Sequence, residues 1–295
     1  MRARLLLNPA SGRGRGARWR ERLARLARAA EVELEESSSA RDLAARARRA
    51  ADEGVERLLV AGGDGAWHWA AQGLAGTATA LAPLALGTGN DLARELGMPL
   101  DAERAFAAAL AGAVDRIDLG RIGDRLFCGV AGVGFDAAVA ERARRVRVLR
   151  GPAVYAWATL AGLAGYRPPR AALRTVEGAV IEEEVFFVVF ANTSHYGGGM
   201  RIAPAADPGD GLLEVVVVRR CSKLRLLRLF PSVYRGNHVG DPNVTVLRSR
   251  AASVEMSPPQ PINADGEGLG LMPVGGLSVG VERRALAVVR GAELH

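Results

Sequence analysis

The 295-residue chain reads as an α/β domain with a parallel sheet, followed by an antiparallel β-sandwich. Three observations carry that reading. Strand-like and helical segments alternate up to about residue 120. Three glycine-rich turns each follow one of those strands. Beyond Asp118, strand-like segments follow one another with turn signals between them. Alternation argues for a parallel sheet, and a succession of strands for antiparallel layers. Two domains are therefore expected, 1–120 and 121–295, with the C-terminal tail packing back on the first.

Residues 4–7 form a short apolar run ending at Asn8-Pro9, and a Gly/Ser/Arg loop is expected over 10–16. Helix follows over 17–30, because Trp19, Leu23 and Leu26 fall on one face. An Ala-rich helix over 41–51, a strand over 56–61, a helix over 66–74 and a strand over 81–86 continue the alternation. Helical stretches at 92–96 and 102–110 close the first half. Residues 114–122 and 126–130 read as paired strands, 137–148 as a basic helix, and 152–163 as an apolar one. Strands are then expected over 171–176, 181–190, 212–218, 243–248, 253–256, 277–281 and 286–289.

Composition bounds the function. A hydrophobic fraction of 49% with 24% charge gives ample material for a core. Lys+Arg exceed Asp+Glu by 39 to 32, a net charge of +7 that favours anionic partners. Much of the excess sits on helix faces, as Arg22, Arg25, Arg28, Arg46, Arg48 and Arg49 do. Lys223 is the only lysine, so a P-loop and a protein-kinase strand lysine are both excluded. No nucleic-acid recognition motif is present, and 5% aromatic residues provide few stacking platforms. Cys128 and Cys221 lie far apart among apolar residues and read as buried thiols. The apolar run at 5–7 is too short for a signal peptide, and no stretch reaches the ~18 apolar residues of a spanning helix. A cytoplasmic protein is expected.

The three turns are NPASGRGRG over 8–16, GGDG over 62–65 and GTGND over 87–91. In an open parallel sheet, ligands bind beyond the carboxyl ends of the strands, so all three should converge on one crevice. Glycine lets backbone N–H groups approach phosphate oxygens, and helix N-termini favour negative charge there. Arg13 and Arg15 add charge, and Asp64 and Asp91 stand in the second and third turns.

Two further constellations stand in the second half. GGGMRIAPAADPGDG over 197–211 places Asp207 and Asp210 three apart. Such carboxylates either hold a divalent cation with backbone carbonyls or cap a turn. NADGE over 263–267 carries an Asp-Gly hairpin signal. Glu267 beside it is either a general base or a residue of a plain surface hairpin.

Taken together, these segments resemble the diacylglycerol kinase catalytic family, especially its soluble bacterial lipid kinases. The resemblance runs through NPxSG, GGDG, LGTGND, the DLG at 118–120, GVGFDA at 132–137, the glycine-rich stretch and DGE. It implies an N-terminal α/β domain similar to NAD kinases and a C-terminal β-sandwich. It implies ATP and Mg²⁺ as cofactors, with phosphates on the Gly62, Gly63, Asp64 and Gly65 turn. Asn8, Ser11, Gly12, Ser37, Ala66, Thr88 and Asn90 would complete the nucleotide site, with Asp42 following Ser37 at the matching distance. Asp64 and Asp91 would organise the phosphates through Mg²⁺. Glu267 would be the general base for a lipid hydroxyl. Asp207, Asp210 and the carbonyl of Leu212 match the family's second, structural Mg²⁺ site.

The sequence departs from the family at Ala66-Trp67-His68-Trp69. Ala66 lacks a hydroxyl for phosphate, a loss of about 0.5–1.5 kcal/mol. His68 and Trp69 replace the family's small polar pair; Trp69 would close or reshape that part of the crevice, and His68 reads as a helix-surface residue. The implied activity is transfer of the γ-phosphate to the hydroxyl of a lipid such as diacylglycerol, with the protein peripherally associated with the membrane that presents it. An NAD-kinase-type enzyme and a catalytically impaired nucleotide-binding regulator are the alternatives. Residues 152–166, following the basic run 142–150, and residues 222–234 are each either interfacial segments or core helices. The oligomeric state stays open, a homodimer included.

Overall fold

The computed structural model describes residues 1–145 and 152–291, without the side chains at 13, 15, 144, 145, 152, 153 and 155. The chain divides into two compact units: Met1–Asp118 with the C-terminal segment from Arg283, and Leu119–Glu282.

In the first unit, β1 (Ala3–Leu7), β2 (Glu33–Glu36), β3 (Arg57–Gly62) and β4 (Ala80–Ala85) form a parallel sheet in the order β2-β1-β3-β4. Its apolar runs are buried, as a parallel sheet requires: Leu5, Leu6 and Leu7 pack with Leu58, Leu59 and Val60. The edge strand β2, reading ELEE, was not expected. Arg4 explains it. The Arg4 side chain is buried and salt-bridges Glu33, Glu35 and Glu53, which binds the acidic strand to β1. The 10–16 loop is instead a helical turn, α1 (Ser11–Gly14), running into a 3₁₀ turn (Arg15–Trp19) before α2 (Arg20–Ala29). The remaining helices are α3 (Ala40–Asp52), α4 (Asp64–Leu74), α5 (Asp91–Glu95) and α6 (Ala102–Ala111). Ser39 caps α3 and Asp101 caps α6, each through its side chain.

The chain leaves this unit within β5 (Val114–Ile122), which pairs antiparallel with β6 (Arg125–Phe127). The DLG glycine has a packing reason. A Cβ on Gly120 would lie 1.9 Å from the Phe127 ring. Then follow β7 (Val130–Gly134), α7 (Phe135–Arg145), α8 (Pro152–Leu163), β8 (Arg170–Thr175), β9 (Val180–Ala191) and β10 (Leu213–Arg219). After these come α9 (Lys223–Val233), a 3₁₀ turn (Asn237–Gly240), β11 (Val244–Ser249), β12 (Ala251–Ser257), β13 (Pro261–Ala264), β14 (Glu267–Leu271) and β15 (Leu277–Val289). Within Leu119–Glu282 the pairings β5–β6, β7–β9, β7–β13, β8–β9, β8–β12, β9–β10, β10–β11, β12–β15 and β13–β14 are all antiparallel, as the sandwich reading requires. The long strand β9 pairs with β8 through its first half, and with β7 and β10 through its second.

Two apolar clusters fill this unit. One holds Phe127, Val188, Phe190, Val215 and Met256, and the other lies under α7, α8 and α9 around Phe135, Phe186 and Val216. Arg147 and Arg150 of the basic run lie outside the described residues. The expected strands 277–281 and 286–289 are one strand, β15. It bends at Arg284 (φ 49°), whose N–H donates to buried Asp118 at 2.6 Å. Beyond the bend it pairs parallel with β4.

Candidate active site

In the first unit the three turns meet at the carboxyl ends of β1, β3 and β4. The Asn8 N–H donates to the Ala61 carbonyl, and the Leu86 N–H to that of Gly62. A Cβ on Gly63 would stand 2.8 Å from the Gly87 Cα, so the second and third turns touch backbone to backbone. A Cβ on Gly62 would lie 2.4 Å from the Ala66 Cβ and 3.2 Å from the Ser11 Oγ. Asn8, Ser11, Gly62 and Ala66 therefore share one corner. Only glycine permits this approach.

Asp64 opens α4 and reaches across to the start of α5. Its Oδ2 accepts from the Asn90 N–H at 2.7 Å. Its Oδ1 accepts from the Asp91 N–H at 2.7 Å and the Leu92 N–H at 3.2 Å. Burial and the neighbouring Asp91 charge push its carboxyl up to about 7, against the pull of those three donors. Asn90 is left-handed (φ 58°). Its side chain closes the third turn, accepting from the Gly87 N–H at 3.0 Å and donating to the Gly87 carbonyl at 3.2 Å. Thr88 is exposed at the turn's tip, and Asp91 is buried.

Ser37 is buried at the end of β2, where its N–H and hydroxyl both donate to the Leu7 carbonyl. It thus sits beside the first turn. Asp42 serves α3: it accepts from the Ser38 N–H at 2.8 Å and from Arg46 at 2.9 Å, and these donors hold its carboxyl below the usual range. Trp67 belongs to the core. It is fully buried, with its indole N–H donating to the Val60 carbonyl at 3.0 Å. His68 is likewise buried and not on the helix surface, meeting the half-buried Trp69 edge to face.

In the second unit, β13 and β14 form the expected hairpin about Asp265 (φ 49°) and Gly266 (φ 80°). Glu267 begins β14, half-buried, opposite Ala264. Asp265 was not singled out from sequence. Its carboxylate accepts from the Cys128 and Gly129 N–H groups, each at 2.8 Å, and the Val130 N–H at 3.1 Å. The Asn192 side chain donates to the Cys128 carbonyl at 2.8 Å and steadies the same segment.

The Asp207–Asp210 turn follows the capping pattern. Asp207 accepts from the Gly209 N–H at 2.9 Å and Asp210 from the Leu212 N–H at 2.8 Å. Arg248 bonds the other Asp210 oxygen and, 3.0 Å away, buried Glu214. Among the described residues no cluster of three or more His, Cys, Asp or Glu is arranged for a metal.

The second unit also contains a cavity of about 640 Å³, its open mouth included, under α7 and α9. Val139, Leu226, Leu229 and Phe230 line it, together with the buried polar residues Asp136, Thr159 and His238. The Tyr196 hydroxyl donates to Asp136 at 2.7 Å. Burial pushes the Asp136 carboxyl up, and the Tyr196 and Asn263 hydrogen bonds oppose the shift. No local pattern in the sequence marks this cavity, since its walls come from eight separate segments.

The two halves match two family models. Residues 2–122 match the diacylglycerol kinase catalytic domain, and residues 129–290 match the YegS C-terminal NAD kinase beta sandwich-like domain. The chain belongs to the diacylglycerol kinase family. It is 39% identical over 221 residues to a diacylglycerol kinase of Mycobacterium tuberculosis (strain ATCC 25618 / H37Rv), covering 73% of this chain and 71% of that one. Identity to a diacylglycerol kinase of Bacillus subtilis (strain 168) is 27% over 281 residues, 92% and 91% of the two chains. The fold is similar to that of a diacylglycerol kinase from Bacillus anthracis str. Sterne, with TM-score 0.75 and 17% identity over 100% of this chain and 98% of that one. It is similar also to an NAD kinase from Archaeoglobus fulgidus in complex with ATP, with TM-score 0.55 and 14% identity over 99% and 95%. Membership accounts for the order of the motifs. The fold comparisons account for the pairing of a parallel-sheet unit with an antiparallel one.

Proposed function

We propose that this family member is a lipid kinase that transfers the γ-phosphate of ATP, carried as its Mg²⁺ complex, to the hydroxyl of a lipid such as diacylglycerol. The observation that carries the reading is the Asp64 bridge. One carboxylate ties the GGDG turn to three successive N–H groups where the GTGND turn runs into α5. That fixes two glycine turns side by side, with backbone donors and little side chain between them and a phosphate.

In this reading Asn8, Ser11, Gly12, Ser37, Gly62, Gly63, Gly65, Ala66, Thr88 and Asn90 hold the nucleotide. Asp64 holds their backbone in place, and Asp91 stands beside it to face the nucleotide's Mg²⁺. Phosphoryl transfer asks for alignment and charge stabilisation more than covalent work. The Mg²⁺ that arrives with ATP neutralises phosphate charge. Glu267 accepts the proton of the attacking hydroxyl, on a hairpin that Asp265 anchors to the segment before β7. The apolar cavity takes lipid chain. A resident metal at Asp207, Asp210 and the Leu212 carbonyl does not fit the arrangement described, because Arg248 already balances Asp210. No step runs through it.

The membrane is met by exposed apolar residues. Trp157 is 46% and Leu160 57% exposed on α8, and Leu224 is 69% exposed on α9. No helix among the described residues is long and apolar enough to cross a bilayer.

The test is transfer of label from γ-labelled ATP to a panel of hydroxyl lipids in mixed micelles, with NAD as control acceptor and Glu267→Gln beside the wild type. Labelled lipid that disappears with Mg²⁺ chelation and in the variant is the expected result. Label on NAD, or ATP bound without any transfer, would overturn it.

A further inference from the structure

Buried polar side chains nearly always have partners, and the partners show what such a side chain holds in place. Asn263, in the NADGE stretch, is 6% exposed. It lies on β13 opposite Gly132 of β7. Its Oδ1 accepts from the Gly132 N–H at 3.1 Å. That donor fixes which end of the amide is the oxygen and leaves the NH₂ group for another acceptor. Asp136, on α7, supplies one. Burial pushes the Asp136 carboxyl up, and hydrogen bonds from Tyr196 and Asn263 oppose the push. Gly132 permits the meeting, since a Cβ there would lie 2.3 Å from the Asp136 Oδ2 and 3.3 Å from the Asn263 Oδ1.

The DGE hairpin needs such a tie. Among the described strands β14 pairs with β13 alone. Gly266, Gly268 and Gly270 line a groove of about 590 Å³, its open mouth included, whose other wall holds Ala137 and Ala140 of α7. At those three positions β14 has no side chain to pack across the groove, whereas Asn263 of β13 does. The pairing is also irregular at this point. Asn263 opposes Gly268 and Ile262 opposes Gly270, so Leu269 is an extra residue. A bulge disrupts the ladder locally and re-aims side chains, and a one-residue slip turns every side chain to the other face. Glu267, opposite Ala264, stands next to the irregularity. Asp265 fixes the turn of the hairpin, and Asn263 is placed to fix its inner strand.

We propose that Asn263 is a positioning residue for Glu267. By holding β13 to β7 and to Asp136, it sets the register and face at which the hairpin presents the Glu267 carboxylate. The proposal gives Asn263 no contact with substrate, and it rests on the reading of Glu267 as the general base.

The experiment is a double-mutant cycle on the full chain, with transfer of label from γ-labelled ATP read at saturating lipid. Asn263→Ala and Asn263→Leu are each made in the wild type and in Glu267→Gln. Asn263→Leu keeps the outline of the amide without its polar atoms, so its effect does not come from a cavity, and it serves where the smaller side chain prevents folding. Each substitution should lower kcat about 10- to 10²-fold, the cost of a misplaced group. KM for ATP should stay within about twofold of the wild type. In the Glu267→Gln chain the same substitutions should lower the remaining rate by less than about twofold, because a base that has been removed cannot be misplaced. An equal factor in both chains, a change carried by KM for ATP, or an unchanged kcat would overturn the proposal. Glu267→Gln alone tests the underlying reading, and a rate equal to the wild type overturns the general base together with what rests on it. A Glu267→Gln rate that falls, with the Asn263 factor repeated in both chains, overturns this inference alone.

Discussion

Asp64 and Asn90 are joined by a 2.7 Å hydrogen bond, the Asn90 backbone N–H donating to the Asp64 carboxylate. With the Asp91 and Leu92 donors it makes a three-point clamp across two loops of the parallel sheet. Asp265 makes the same kind of clamp in the second unit, on Cys128, Gly129 and Val130. In both units a carboxylate at a glycine turn is spent on backbone donors, and in both a second acidic residue, Asp91 or Glu267, stands close by in sequence. We read the clamps as positioning residues and their neighbours as the groups that face substrate.

Asp64→Asn should separate these roles. An amide cannot accept at both of its atoms, so at least one backbone N–H loses its partner, at a cost of about 1–3 kcal/mol. The pH dependence has a definite sign. The native carboxyl is raised to about 7, above its unfolded value, by burial and Asp91. Its contribution to stability is present in acid and is lost as pH rises through about 7. The wild type should therefore be more stable relative to the variant at pH 5 than at pH 8. Melting curves of both proteins across that range check it; a constant difference would remove the shifted carboxyl from the account.

Glu267→Gln should lower kcat for lipid phosphorylation about 10²- to 10⁴-fold, the usual contribution of a general base. Nucleotide affinity should stay within a factor of two or so of the wild type, roughly the limit of a surface change that touches no phosphate contact. Transfer assays and ATP titration on the same preparation test both halves. A parallel loss of ATP binding would move Glu267 from base to nucleotide contact.

Asp265→Asn should act through Glu267. It sets an NH₂ group against backbone donors of the segment Cys128–Val130 and loosens the hairpin. The expected cost is again about 1–3 kcal/mol, with kcat falling while KM for ATP holds. If the melting temperature drops and kcat does not, the clamp supports the sheet and not the hairpin's acid.

How much of this was legible in the sequence follows from what each feature rests on. The parallel strands β1, β3 and β4 are continuous apolar runs closed by glycine turns, so pattern and turn chemistry agree. The antiparallel half shows itself by turn signals at short spacing. Strand β2 does not read as a strand because its stability lies in Arg4, far along the chain and buried beneath its glutamates. Strand β15 read as two because its bend depends on Asp118 holding the Arg284 N–H. The same distinction holds at the site. Glu267 and Asp91 stand in motifs, whereas Asp136, Tyr196 and His238 meet only through the packing of α7 and the 3₁₀ turn. His68 does not read as buried because periodicity alone does not reveal that α4 is buried on so many sides.

The turn at Asp207 and Asp210 yields a prediction about cations. Arg248 bonds Asp210 and lies 3.0 Å from buried Glu214. A cation entering there would displace a guanidinium that already satisfies both acids. Without nucleotide, Mg²⁺ should leave the wild-type melting temperature unchanged. Arg248→Ala should melt lower, since it leaves a buried carboxylate unpaired, and should recover part of the loss in Mg²⁺. A rise in the wild type on adding Mg²⁺ alone would restore the resident-metal reading.

The proposed membrane contact gives a prediction for α8. Trp157 and Leu160 are three apart, on one helix face, and both stand in solvent, while Val154 and Ala158 are buried. An exposed Trp beside an exposed Leu fits the interfacial region of a bilayer, where the indole is favoured. Burying a leucine contributes roughly 1.5–3 kcal/mol, so placing Glu at both positions should weaken vesicle binding at least tenfold. Co-sedimentation with vesicles measures this directly. The same double variant should still phosphorylate a short-chain, water-soluble acceptor at close to the wild-type rate, because neither residue belongs to the glycine turns or the DGE hairpin. Loss of both activities together would place α8 in the catalytic fold instead of at the membrane.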